Sequence, residues 1–114
     1  MKQIGVGILG YGTVGAGVAD GLIRHRQVMA DRLGVDIKLS KIADLDITTD
    51  RGVDVPDGVL TTDAASVIAD PEVQIVVETI GGTGIAKKFV LDAIAEKKAL
   101  VTANKKLLAE YGRE

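Results

Sequence analysis

The chain has 114 residues, enough for one domain with a packed core of its own. Apolar residues make up 46% and the formal net charge is −2 with no large block of one sign, which excludes the basic footprint of a nucleic-acid binder. There is no cysteine, so these residues form no disulfide, thiolate zinc site or cysteine nucleophile, and no metal site is expected.

Tyr11, Phe89 and Tyr111 are the only aromatic residues, so the core must be built from Val, Ile, Leu and Ala. That composition suits a parallel sheet buried on both faces. The chain enters a strand at once, without the layout of a signal peptide, and no apolar run approaches the length of a membrane span. A soluble cytoplasmic protein is expected.

Residues 4–9 read as the first strand, with Gly5 and Gly7 inside it to admit a close neighbour. Gly10-Tyr11-Gly12-Thr13-Val14-Gly15 follows, and then a long helix over 14–33. Glycines spaced G-x-G-x-x-G between a strand and a helix form the dinucleotide-binding fingerprint. Gly10 permits the tight turn, Gly12 lets a pyrophosphate approach the backbone, and Gly15 lets the helix pack close to the sheet. The helix N-terminus then offers N–H groups and the positive end of its dipole to the phosphates. Without a ligand the same pattern is an ordinary strand-to-helix turn. Gly17 and Gly21 extend a small-residue stripe from Gly15, which is expected to lie against the sheet. His25, between Arg24 and Arg26, reads as a solvated helix face. Gly34 is a left-handed cap candidate.

Residues 35–43 read as the second strand, less buried at its start, and 48–58 as a polar loop. A short third strand over 59–61 precedes a short helix over 64–69, capped by Asp63 or Thr62. Residues 73–77 form a buried fourth strand. Residues 78–84 are a second glycine-rich turn, and an amphipathic helix runs from Ile85 to Ile94 and ends in Glu96-Lys97-Lys98, whose lysines are expected to complement the helix dipole. A fifth strand covers 99–102, and Asn104 is placed to cap a last helix over 105–111. The alternation is α/β, a Rossmann-like doubly wound parallel sheet in the order 3-2-1-4-5, forming one dinucleotide-binding domain over 1–114. That order puts both glycine turns at the carboxyl ends of adjacent strands, the switch point where such sheets bind ligands.

An acid at the end of the second strand binds the adenosine ribose in NAD sites, and Asp44 holds that place with Asp46 close by. An acid there repels the extra phosphate of NADP, so NAD is favoured, although Arg51 can swing over to a 2′-phosphate. Both acids are also ordinary turn residues. Lys105 and Lys106 would lie in the first turn of a helix, where a cation opposes the dipole by ~0.3–1 kcal/mol. Function is the better account of Lys105, which at the end of the fifth strand can orient a substrate oxygen or move a proton. Lys106 reads as solvated. Glu78, at the end of a buried strand, is assigned no chemistry.

The motifs Ile8-Leu9-Gly10-Tyr11-Gly12-Thr13-Val14-Gly15, Val76-Val77-Glu78-Thr79-Ile80-Gly81-Gly82-Thr83 and Val101-Thr102-Ala103-Asn104-Lys105, in this order, resemble those of the homoserine dehydrogenases. The resemblance implies an NAD(P)-dependent enzyme interconverting L-homoserine and L-aspartate 4-semialdehyde, a step toward threonine, methionine and isoleucine. It implies that Gly10, Gly12, Thr13, Val14 and Gly15 hold the pyrophosphate. Thr79, Ile80 and Gly81 would line the adenosine-to-nicotinamide path, and Lys105 would lie beside nicotinamide and substrate. It also implies that this is a truncated cofactor domain, inactive alone, whose parent forms a homodimer or homotetramer through a further domain. Many members carry Arg just before the acid after strand two; Ala43 stands there, which supports NAD. Two other readings are a redox-sensing NAD(P)-binding module without chemistry, and another nicotinamide oxidoreductase, such as an aspartate semialdehyde dehydrogenase or a dihydrodipicolinate reductase.

Overall fold

The computed structural model describes residues 2–80 and 84–102. The expected last helix, its Asn104 cap, Lys105, Lys106 and Gly81 lie outside the described residues. Five parallel strands form one sheet, β1 (Lys2–Leu9), β2 (Val35–Ala43), β3 (Leu60–Thr61), β4 (Ile75–Glu78) and β5 (Ala99–Thr102), in the order β3-β2-β1-β4-β5. This is the expected order. The helices are α1 (Thr13–Arg24), α2 (Arg26–Leu33), α3 (Ala64–Ala69) and α4 (Gly84–Ala95).

Side chains alternate along the strands, so neighbours in sequence feed opposite faces. Ile8, Leu39 and Ile42 join Ala16 and Ala19 of α1 in one buried cluster. Leu9, Ala43 and Val76 join Val67 and Ile68 of α3 and Ala93 of α4 in the other. Gly7 makes room on that second face: a Cβ there would stand 2.6 Å from Val67 Cγ1. The β1–β2 register slips between Val6 and Gly7, leaving Ser40 as the extra residue of a bulge. At α3 the cap is Asp63, whose carboxylate accepts from Ser66 N at 3.2 Å.

Three expectations are corrected. The single helix over 14–33 is two helices meeting at His25, whose φ of −108° and ψ of 14° leave the helical region. The backbone ladder still bridges the break, with His25 N donating to Gly21 O and Met29 N to His25 O. The bend accompanies a fork in which Arg26 Nε and Nη2 each donate to an Asp36 carboxylate oxygen at 2.6 Å, drawing the start of α2 onto β2. Gly34 then closes α2 in the left-handed conformation, φ 71°.

Second, the small-residue stripe does not lie on the sheet. The buried residues of α1 are Gly15, Ala16 and Ala19. At roughly 100° per residue, Gly17 and Gly21 fall on the far side of the helix from these, and a Cβ on either would meet nothing within 4 Å. Third, Lys98 does not serve the dipole of α4. Its ammonium donates to the carbonyls of Asp70 and Val73 at the entrance to β4. Lys97 takes the left-handed conformation, φ 61°, that ends the helix.

Candidate functional site

The site is the crevice at the carboxyl ends of β1, β2 and β4. Gly10 leaves β1 at φ +100°, a conformation that suits glycine, and a Cβ there would lie 2.5 Å from Thr79 Oγ1. Gly15 sits so close to the turn that a Cβ would stand 2.0 Å from the Gly10 carbonyl oxygen. Around Gly12, by contrast, a Cβ would meet nothing within 4 Å. Among the described residues, nothing fills the space that Gly12 leaves open.

Each neighbouring strand ties down the turn. From β2, the Ala43 carbonyl accepts from Gly10 N at 2.7 Å, and the Asp44 carboxylate accepts from Tyr11 N. From the end of β4, Thr79 N donates to Leu9 O at 2.9 Å, and its hydroxyl donates to Leu9 O and Gly10 O at 2.9 and 3.2 Å. Gly12 is the N-cap of α1 and supplies no side-chain acceptor, and no acid lies in the first turn. The leading N–H groups of the helix therefore face the crevice with their dipole uncompensated by any side chain of that turn.

The structure separates the two acids that the sequence placed together. Asp44 is half-buried; one carboxylate oxygen holds Tyr11 N and the other accepts from Asp46 N at 2.9 Å. Asp46 instead knots its own loop, accepting from the hydroxyl and backbone N of both Thr49 and Thr48. These bonds, the Thr49 hydroxyl foremost, hold its carboxyl well below the usual carboxylate range. Asp46 also pairs with Arg51 at 3.6 Å. Tyr11 is buried beneath this loop, packed in the cluster that includes Val53 and Val55. Burial, aided by the nearby Asp50 carboxylate and opposed by Arg51, pushes its phenol up.

Beside Asp44 opens a largely apolar cleft of about 370 Å³ between the ends of β2 and β3, α3 and α4. Leu45, Thr62, Ala64, Ile80 and Phe89 line it together with Gly10. Sequence reasoning missed Leu45 as a site residue, although its 91% exposure marks it as an apolar side chain with no core to fill. It also gave Phe89 only to the apolar face of α4. The period of a helix cannot tell a core position from a cleft wall.

Thus Gly10, Gly12, Gly15, Asp44, Thr79 and Ile80 meet at one crevice, and Thr13 and Val14 open α1 directly after Gly12, with Thr13 also lining a hollow beside Asp20 and Arg51. Gly81 and Lys105, expected beside them, lie outside the described residues. The donor set suits a dinucleotide: the N–H groups that open α1, with none of the other described residues above Gly12, an acid one strand away, and an apolar cleft next to the acid.

Residues 10–114 match the family described as homoserine dehydrogenase, NAD binding domain. The chain belongs to the homoserine dehydrogenase family. It is 44% identical over its whole length to the homoserine dehydrogenase of Bacillus subtilis and 46% identical to that of Neisseria gonorrhoeae, in each case covering 26% of the relative. Among solved structures, it superposes on the Staphylococcus aureus homoserine dehydrogenase at pH 7.0 with a TM-score of 0.89 and 34% identity, covering 99% of this chain and 29% of that one. The Thiobacillus denitrificans homoserine dehydrogenase gives a TM-score of 0.86 at 42% identity, covering 97% and 26%. The chain therefore spans about a quarter of the length of these relatives and corresponds to their NAD-binding part. Among the described residues, no helix is long and apolar enough to cross a membrane.

Proposed function

We propose that this chain provides the cofactor half of an active site that interconverts L-homoserine and L-aspartate 4-semialdehyde, and that it takes NAD in preference to NADP. The cofactor, when bound, supplies or accepts the hydride. The N–H groups at the start of α1, with Gly12 leaving the approach open, would hold its pyrophosphate. Asp44 would hold the adenosine ribose through lone pairs not used by Tyr11 N and Asp46 N. The cleft lined by Leu45 and Phe89 would take the base. Lys105 would stand beside the reacting carbon to orient the substrate oxygen or carry its proton. The substrate-binding residues would come from a further domain, through which the parent enzyme would assemble as a homodimer or homotetramer in the cytoplasm. These 114 residues alone would then oxidise no homoserine.

The preference for NAD rests on one observation: the Asp44 carboxylate stands at the end of β2 and, among the described residues, no cation pairs with it. Ala43 is buried beside it, and Arg51 is engaged with Asp46. A 2′-phosphate would meet a carboxylate at close range, a repulsion on the order of 1 kcal/mol or more even in a watery setting. Calorimetric titration of the chain should therefore show NAD binding about tenfold tighter than NADP. Asp44→Ala should weaken NAD and narrow the gap. Tighter binding of NADP by the unaltered chain would overturn the preference and point to Arg51 leaving Asp46 for the phosphate.

A further inference from the structure

Glu78 is the one charged side chain among the described residues that is fully buried, with 0% of its surface exposed. It stands at the end of β4, between Leu9 of β1 and Thr102 of β5 in the sheet register. One carboxylate oxygen accepts from Ile80 N; the other accepts from the Thr102 hydroxyl at 2.7 Å. Nothing in the cofactor reading uses this group. Apolar residues would fill the space without the cost of burying a carboxylate.

What Glu78 does join are two segments of the crevice. Ile80 lies in the second glycine-rich turn and lines the apolar cleft. Its neighbour Thr79 clamps the first turn through Leu9 O and Gly10 O. Thr102 ends β5, three residues before Lys105 in the chain. In a doubly wound sheet the strands beyond the switch point carry the second half of a dinucleotide, here the nicotinamide side. We propose that Glu78 is a positioning residue for the nicotinamide half of the site: its buried carboxylate fixes the turn after β4 and the exit of β5 in one register. It touches neither cofactor nor substrate and acts through Ile80 and Thr102.

The proposal rests on the dinucleotide reading, and the probes separate the two. ADP reports the adenosine end alone; NADH reports both ends. With the 114-residue chain, Glu78→Ala should raise the Kd for NADH about tenfold and that for ADP by less, about threefold, since Ile80 also lines the cleft that would take the base. Glu78→Gln should restore NADH binding: its amide oxygen can still accept from Ile80 N, and its NH₂ can donate to a Thr102 hydroxyl turned to accept. Thr102→Val should repeat the selective loss more weakly, and it decides alone if Glu78→Ala does not fold. Equal losses for NADH and ADP, or no loss for either, would overturn the positioning role, as would a Gln variant no better than Ala. An unaltered chain that binds neither probe would overturn the dinucleotide reading, and the proposal with it.

Discussion

The two halves of the crevice are built from similar parts used differently. On the β1–β2 side, Asp44 directly follows a strand, holds a backbone N–H of the turn after β1 and remains half-buried beside an open cleft. On the β4–β5 side, Glu78 ends a strand and holds a backbone N–H of the next turn, but it is sealed inside the protein. A carboxylate with room beside it can serve protein and ligand together. One without room can only fix what surrounds it. The same contrast recurs within the first turn, where Gly15 is pressed against Gly10 O and Gly12 has none of the other described residues against it.

The largest expected effect is at the closed position. In Gly15→Ala the new methyl meets backbone at 2.0 Å, which cannot move aside as a flexible side chain would. The variant should lose about 3 kcal/mol of stability by thermal or denaturant unfolding, toward the upper end of overpacking costs, and lose cofactor binding with it. Gly12→Ala tests the open position. Its φ of −81° and ψ of −156° are accessible to alanine, so the cost should be about 0.5–1 kcal/mol, for the poorer cap. Binding of NAD should nevertheless fall at least about tenfold, because the methyl occupies the space into which the pyrophosphate would come. A Gly12→Ala protein that binds NAD like the unaltered chain would break the comparison.

The smallest effect is expected at the opposite end of the sheet and serves as a reference for the other two. The Arg26 guanidinium, with Gln3, lowers the Asp36 pKa from 3.8 to about 2. A carboxylate whose pKa is depressed in the folded state stabilises it above the unfolded value and loses that contribution as pH falls through the folded one. Asp36→Asn should therefore flatten the acid limb of the stability curve between pH 3.8 and about 2, read as melting temperature against pH. It should leave NAD binding near neutral pH unchanged. A loss of binding would mean that the two ends of the sheet are coupled.

Much of this was legible because local spacing carries it. The apolar run before Gly10, the glycines at 10, 12 and 15, and the return of apolar runs at 73–77 and 99–102 indicated the parallel sheet and its switch point. A cap at Asp63 or Thr62 was readable because such a partner is only a few residues away, and Ser66 N decides for Asp63. The helix break at His25 was not: the apolar spacing runs on past it, and the bend goes with a contact between Arg26 and Asp36 on different elements. Lys98 was read as complementing its own helix dipole, yet it serves carbonyls 25 and 28 residues earlier.

By itself, then, the sequence determined the order of elements, the strand order and the open turn, since each follows from periodicity and from glycine geometry within a few residues. Tertiary structure alone decided which acid faces the turn and which knots a loop, and how Glu78 joins two strands. Those contacts span 33 residues from Tyr11 to Asp44 and 24 from Glu78 to Thr102. They exist because the crossovers bring the strand ends side by side, and hydrogen bonds of that reach leave no period in the chain to read.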